Sequence, residues 1–291
     1  MHKYLRSIGF RNYGKREFDE WLYGKALVNP DKMSEALDME GNEIIELRKE
    51  VSAGMGICMR GFRARVGRFV MDHYFPYREA VRKANALETS VIPQTDRNGL
   101  FGMNDDTRLG LDLVYYVQDM MRFLKSDQSR NSKVFFGGTS LMGLSSGGKI
   151  IMPVQKTAEA IERTEKAKAK RSELLLAARE GDESAYEALS IDEMDTYNAL
   201  AGRVGQEDVY SIIDTSFMPS GVEMDKYMII AEITGIHRFL NKTSSQTVYV
   251  FSLKSNQMEF DLTINEADLL GVPEVGRRFK GDMWLQGKVN A

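Results

Sequence analysis

Cysteine is all but missing. Cys58 is the only one among 291 residues, so no intramolecular disulfide can form and an oxidised extracellular framework is excluded. A reduced, cytoplasmic setting is the expectation. Histidine is nearly as scarce: His2, His73 and His237 stand at no helical or hairpin spacing from one another, which leaves no zinc pattern of His and Cys. No stretch approaches the ~18 apolar residues of a membrane span, and nothing before Arg11 resembles the apolar centre of a leader. The chain therefore reads as soluble and unexported. Neither sign of charge dominates, since 39 Lys and Arg against 42 Asp and Glu give a net charge of -3. That balance disfavours a surface tracking nucleic acid or anionic lipid throughout. Six prolines and 25 glycines among plentiful Phe, Tyr, Leu and Ile exclude collagen-like and wholly disordered classes.

What the chain does have is ordinary α+β patterning. Phe18, Trp21, Leu22 and Ala26 recur at helical spacing between Lys15 and Val28, and Asn29-Pro30 stops that helix because the residue before proline avoids the α region. From Glu43 the pattern shortens to apolar runs at 44–47, 56–59 and 68–71 separated by glycines, which predicts a three-stranded antiparallel meander closed at Pro76. Residues 80–106 read as a long connection or edge element, and 108–125 as a strand running into a short helix. Two further apolar runs, 134–136 and 149–152, flank a glycine-rich stretch. Ala, Glu, Lys and Arg then dominate 156–180, a long charged helix followed by Gly181, and Ser190-Ile191-Asp192-Glu193 has the form of a capping box opening a second helix. From Lys226 onward β-branched and aromatic runs return at 227–236, 246–253, 258–262 and 279–287 around a short helical turn at 266–270, a pattern that suggests a small OB-like β-barrel.

Charge is unevenly placed. Residues 182–225 hold eleven acids against the single base Arg203, whereas 1–181 carry a net +6. The acidic stretch is expected to dock on a basic face or to present its charge to a partner.

Several stretches bear on chemistry. Gly143 to Lys149 satisfies Gly-x4-Gly-Lys, but Ile150 follows where a phosphate loop needs Ser or Thr, and a strand follows where it needs a helix; a hairpin connection is the better reading. Gly54 to Gly61 lacks the dinucleotide spacing. Cys58 sits in an apolar run as an inert buried thiol. His73, beside Asp72, Tyr74 and Tyr77, is an acid/base candidate in an aromatic cleft, weakened by strand alternation, which puts it on the face opposite Asp72 and Tyr74. Asn104-Asp105-Asp106 offers too few oxygens for a hard cation. Tyr249, Phe251, Phe260, Phe279 and Trp284 with nearby bases loosely resemble a stacking platform, but read better as core.

Three stretches carry a family resemblance: His2 to Phe10, Asp72 to Tyr77, and Asp195-Thr196-Tyr197 with Glu207 to Thr215. In these the chain resembles a family of uncharacterised bacterial proteins of about this length, classed as a domain of unknown function. The resemblance implies a bacterial cytoplasmic protein and brings no activity, ligand or catalytic residue. The expectation is then an α+β protein: an N-terminal antiparallel sheet with helices (1–155), an acidic helical connection (156–222) and an OB-like barrel (223–291). No catalytic, metal or cofactor-binding residue is assigned. A non-enzymatic binding or adaptor protein with an unknown protein partner leads. A ligand-binding or catalytic cleft at Tyr74, Tyr77 and Arg108 is the alternative, and single-stranded nucleic-acid binding by the barrel is a third.

Overall fold

A computed structural model describes residues 1–38, 41–64, 67–82, 89–93, 99–106, 111–125, 134–135, 138–154, 158–191, 194, 213–255 and 258–289. The chain opens with a 3₁₀ turn, Lys3–Ile8, which ends at Gly9 in the left-handed region (φ 97°) and buries Tyr4, Leu5 and Ile8. Helix α1 (Lys15–Trp21) continues into a π-helical turn, Leu22–Ala26. Phe18, Trp21, Leu22 and Ala26 are buried, as their spacing predicts.

Strands β1 (Lys32–Leu37), β2 (Glu43–Ser52), β3 (Met55–Arg63) and β4 (Phe69–Arg78) form an antiparallel sheet in that order. The expected meander is its last three strands. β4 does not stop at Pro76: it is the outer strand of this sheet, so one side of its backbone needs no ladder donor, and Pro76 pairs with Ile57.

The stretch expected as a connection contains β5 (Thr89–Pro93) and β6 (Leu100–Asp106). β7 (Leu111–Val117) then runs into α2 (Met120–Lys125), the expected strand-to-helix junction. β8 (Val134–Phe135), β9 (Thr139–Leu144) and β10 (Gly148–Ile151) follow. Next comes the long charged helix, α3 (Ala158–Arg179), which ends at Gly181 (φ 92°).

The capping box fails. Ser190 lies inside a helix over 183–191, where its hydroxyl donates to the Tyr186 carbonyl at 3.0 Å, and Asp182 supplies the cap by accepting the Ser184 N–H at 2.9 Å. Asp182 is the stronger N-cap because its carboxylate meets two free N–H groups of the first turn. Asp192, Glu193 and residues 195–212 of the acidic stretch lie outside the described residues.

The remaining strands are β11 (Ser216–Pro219), β12 (Lys226–Leu240), β13 (Thr247–Ser255), β14 (Met258–Asn265), β15 (Leu269–Leu270) and β16 (Arg278–Val289). β12, β13 and β14 form an antiparallel meander. β9 lies parallel to β14 and antiparallel to β16, and β16 pairs back onto β12. The pairings thus return to the strand from which they began. β7 also joins β16 and carries β6, β5 and β8 outward from it, so strands from before residue 155 and after residue 223 share one sheet.

This shared sheet has apolar residues on both faces. Along β16, Phe279, Met283 and Leu285 enter one core with Phe251, Phe260 and Leu262, while Trp284 points to the opposite core formed by Tyr4, Phe10, Phe18, Met59 and Phe75. The same alternation divides Tyr115 from Tyr116 on β7 and Leu141 from Met142 on β9. The N-terminal turn, α1 and the four-stranded sheet therefore cover the second face.

Candidate ligand cleft

Where the N-terminal turn, β4 and the start of β12 meet Trp284, a cleft of about 430 Å³ opens. It is lined by His2, Lys3 and Tyr4 from the turn, His73, Tyr74 and Phe75 from β4, Tyr116 from β7, Glu223, Asp225 and Lys226, and Trp284. Such a volume suits a small molecule.

The turn is fixed by contacts far along the chain. Thr263 donates to the Ser7 carbonyl at 3.1 Å, Asn241 donates to the Ile8 carbonyl at 2.8 Å, and Arg6 and Arg11 each donate through Nε to the Asp268 carboxylate at 2.7 Å. These bonds hold His2 and Tyr4 against Trp284, with ring centroids 5.0 and 5.7 Å away. Tyr116 lies 5.4 Å from the same indole. Such offset and tilted pairs add specific geometry to apolar burial.

Below Phe75 and Tyr116 lies the fully buried Arg60. Its guanidinium stands 4.8 Å from the Phe75 centroid and donates to the Tyr116 hydroxyl at 2.7 Å. Glu46 accepts from both Arg60 (2.8 Å) and Arg48 (2.7 Å), and Arg48 reaches on to the Gln118 carbonyl. Burial alone would raise the Glu46 pKa, but Arg60 and Arg48 hold it below the ordinary carboxylate value. This network ties the four-stranded sheet to β7 under the cleft floor.

At the opposite wall the Trp284 Nε1–H donates to Asp225 Oδ2 at 2.6 Å, and the Leu285 N–H donates to the Asp225 carbonyl at 2.8 Å. Asp225 is buried, and that desolvation raises its pKa although the indole bond pulls the other way. Burial likewise raises Tyr4, aided by Asp282, Asp225 and Glu223, so its phenol stays protonated at neutral pH. Tyr74 is raised by burial too, while the His2 backbone N–H bonds to it.

Of the cleft candidates from sequence, Tyr74 lines the cleft. Tyr77 does not: it is buried in the core, its ring beneath Arg48 at 5.0 Å. Arg108 lies outside the described residues. His73, Tyr74 and Phe75 all line the cleft although they alternate in regular register with Arg60, Met59 and Cys58; β4 is an outer strand of its sheet, and its bulge, where Gly61 pairs with Met71 and Arg60 with His73, falls at Asp72 just before them. The bulged Asp72 carboxylate contacts His73 Nδ1 at 2.9 Å.

The other motifs are structural. Gly143 to Lys149 links β9 to β10, but not as the expected hairpin: both strands run antiparallel to β16 and do not pair with each other, and Lys149 lies in a strand, not at the start of a helix. A Cβ at Gly148 would stand 2.3 Å from the Phe279 ring, so close packing explains that glycine. Cys58 is buried and its thiol pKa is pushed up by burial. Phe251, Phe260 and Phe279 have no exposed surface on which a base could stack. Among the described residues no group of three His, Cys, Asp or Glu side chains is placed to hold a metal. No described helix is long and apolar enough to cross a membrane.

Sequence reasoning missed His2, Tyr4, Tyr116, Asp225 and Trp284 as neighbours. A family described as a domain of unknown function from an E. rectale gene (DUF3881) matches residues 5–287. The chain belongs to that family. The DUF3881 match covers the cleft-lining residues from His73 to Trp284, while His2, Lys3 and Tyr4 precede it. No curated protein and no solved structure matches this DUF3881 chain.

Proposed function

We propose that the chain is a non-catalytic binding protein whose ligand is a small molecule held in the cleft beside Trp284. The observation that carries this reading is the convergence, in one concavity of about 430 Å³, of aromatic side chains with a buried carboxylate. Ligand sites combine apolar walls with a few placed polar groups in this way. None of the described residues lining the cleft is a Ser, Thr or Cys, so the Asp72–His73 pair has no aliphatic hydroxyl and no thiol there to activate. Binding and orientation are the chemistry the lining offers.

The same proposal includes the architecture beneath the cleft. The cycle β12-β13-β14-β9-β16, with a 3₁₀ turn after β14, supports a closed OB-like barrel that takes one strand, β9, from the N-terminal half. A cytoplasmic location is part of the reading, resting on the single buried thiol.

The test is a thermal-shift and ligand-observed NMR screen of the full chain against a panel of small amines, carboxylates, sugars and nucleobases. At least one class is expected to bind and to raise Tm with concentration, as a ligand specific for the folded state must. The same ligand is expected to lose its effect in Trp284→Phe, which keeps a ring but removes the indole N–H. If no class binds, or if binding is unchanged in that variant, the cleft is not the site.

A further inference from the structure

The buried Asp225 gives the cleft a sign. Its residue surface is 7% exposed, and it makes no ion pair with any described residue. The side-chain donor it meets is the neutral indole of Trp284, at 2.6 Å. Both lysines that reach the cleft are already engaged: Lys3 lies 3.1 Å from Asp282, and Lys226 is bonded to Glu223. Lys3 also sits toward solvent, its side chain 62% exposed. A carboxylate taken out of water without a cation is left undercompensated, and the aromatic faces beside it attract positive charge.

We propose that the cleft takes a small organic cation, a compact primary or quaternary ammonium, with Asp225 as its counter-ion and the Trp284 ring as its wall; the Tyr4 ring is already covered by the Lys3 ammonium, 5.3 Å from its centroid. This rests on the small-ligand reading of the cleft and adds the class of ligand. A hard metal ion does not fit, because it needs six or more oxygens. A carboxylate ligand would face both Asp225 and Glu223. An ammonium instead meets a buried negative charge and ring faces, and the exposed Glu223 at the rim adds attraction on approach.

The experiment is isothermal titration of the full chain at pH 8, where ordinary histidines are neutral. The probes are tetramethylammonium, n-propylammonium, pivalate and tert-butanol. The ammonium ions are expected to bind and the other two not to. Asp225→Asn, which keeps an oxygen for the Trp284 N–H, is expected to weaken ammonium binding at least ~10-fold, as loss of a desolvated charge pair does. Should that variant not fold, Glu223→Lys on the exposed rim serves instead, with a loss of several-fold expected. Unchanged ammonium affinity in the folded variant overturns the proposal. Binding of pivalate or tert-butanol as tight as that of the ammonium ions overturns it while leaving a small-ligand cleft in place. Silence from all four probes overturns the cationic preference, and the wider screen then decides whether the cleft binds anything.

Discussion

Glu46→Gln is expected to destabilise the protein by about 3–5 kcal/mol, the usual cost of removing one partner from a buried ion pair. The carboxylate stands between two guanidiniums: Arg60, whose side chain has no exposure, and Arg48, at 14%. Glutamine keeps the shape and offers one carbonyl oxygen, but it removes the carboxylate charge that Arg60 and Arg48 share. Cation–π contacts to Phe75 and Tyr116 do not replace that charge. The pH dependence has a definite sign. Because the arginines hold the folded pKa of Glu46 below its ordinary 4.5, the stabilisation is fully present above that value and is lost as pH falls through the folded pKa. Urea unfolding at pH 7 should therefore show the full difference between Glu46→Gln and wild type. At pH 3 the difference should be smaller. A difference under about 1 kcal/mol at pH 7 would mean that the network does not join the two sheets, since a surface-like pair is worth no more than that.

Gly9→Ala is expected to cost roughly 2–5 kcal/mol and to open the cleft wall. An alanine at φ 97° pays the left-handed penalty of about 1–2 kcal/mol. Its Cβ would also stand 2.7 Å from the Asn241 Cβ, and overpacking of that kind costs ~1–3 kcal/mol. Asn241 has little room to yield, because its side chain accepts the Thr243 and Ser244 N–H groups and donates to Ile8. The strain should instead shift the turn that carries His2 and Tyr4. Trp284 emission is expected to move to longer wavelength in this variant and ligand binding to weaken. A variant with wild-type stability and emission would show that the turn does not form the wall.

How much of this was legible in the sequence depended on whether an element has one wet face. α1, β2 to β4, and β12 to β14 bury one side and expose or half-expose the other for part of their length, and their periodicity was visible. β9 was not: Thr139 to Leu144 is buried on both faces, so the run lacks alternation and sits hidden among glycines. β1 failed for the opposite reason, being largely exposed with no apolar run to mark it. β4 was cut short at Pro76 because its place at the sheet edge is a tertiary fact. In the cleft, Tyr74 could be singled out from its aromatic neighbours. The partnership of Trp284 with Asp225, His2 and Tyr4 joins residues up to 282 positions apart in the chain. Strand parity offers one hint, since Phe279 and Trp284 are an odd number of residues apart on one strand and so face opposite sides. The bulge at Asp72 has no signature in the residues around it.

Tryptophan emission offers the most direct measurement. The chain has two tryptophans. Trp21 lies among Phe10 and Phe18 away from the cleft lining, so Trp21→Phe leaves Trp284 as the sole reporter. In that variant, saturable quenching or a spectral shift of Trp284 by a small ligand, with the same Kd as found by calorimetry on the wild-type chain, is the predicted result. A ligand that binds by calorimetry while Trp284 emission stays unchanged would place its site elsewhere and contradict the account.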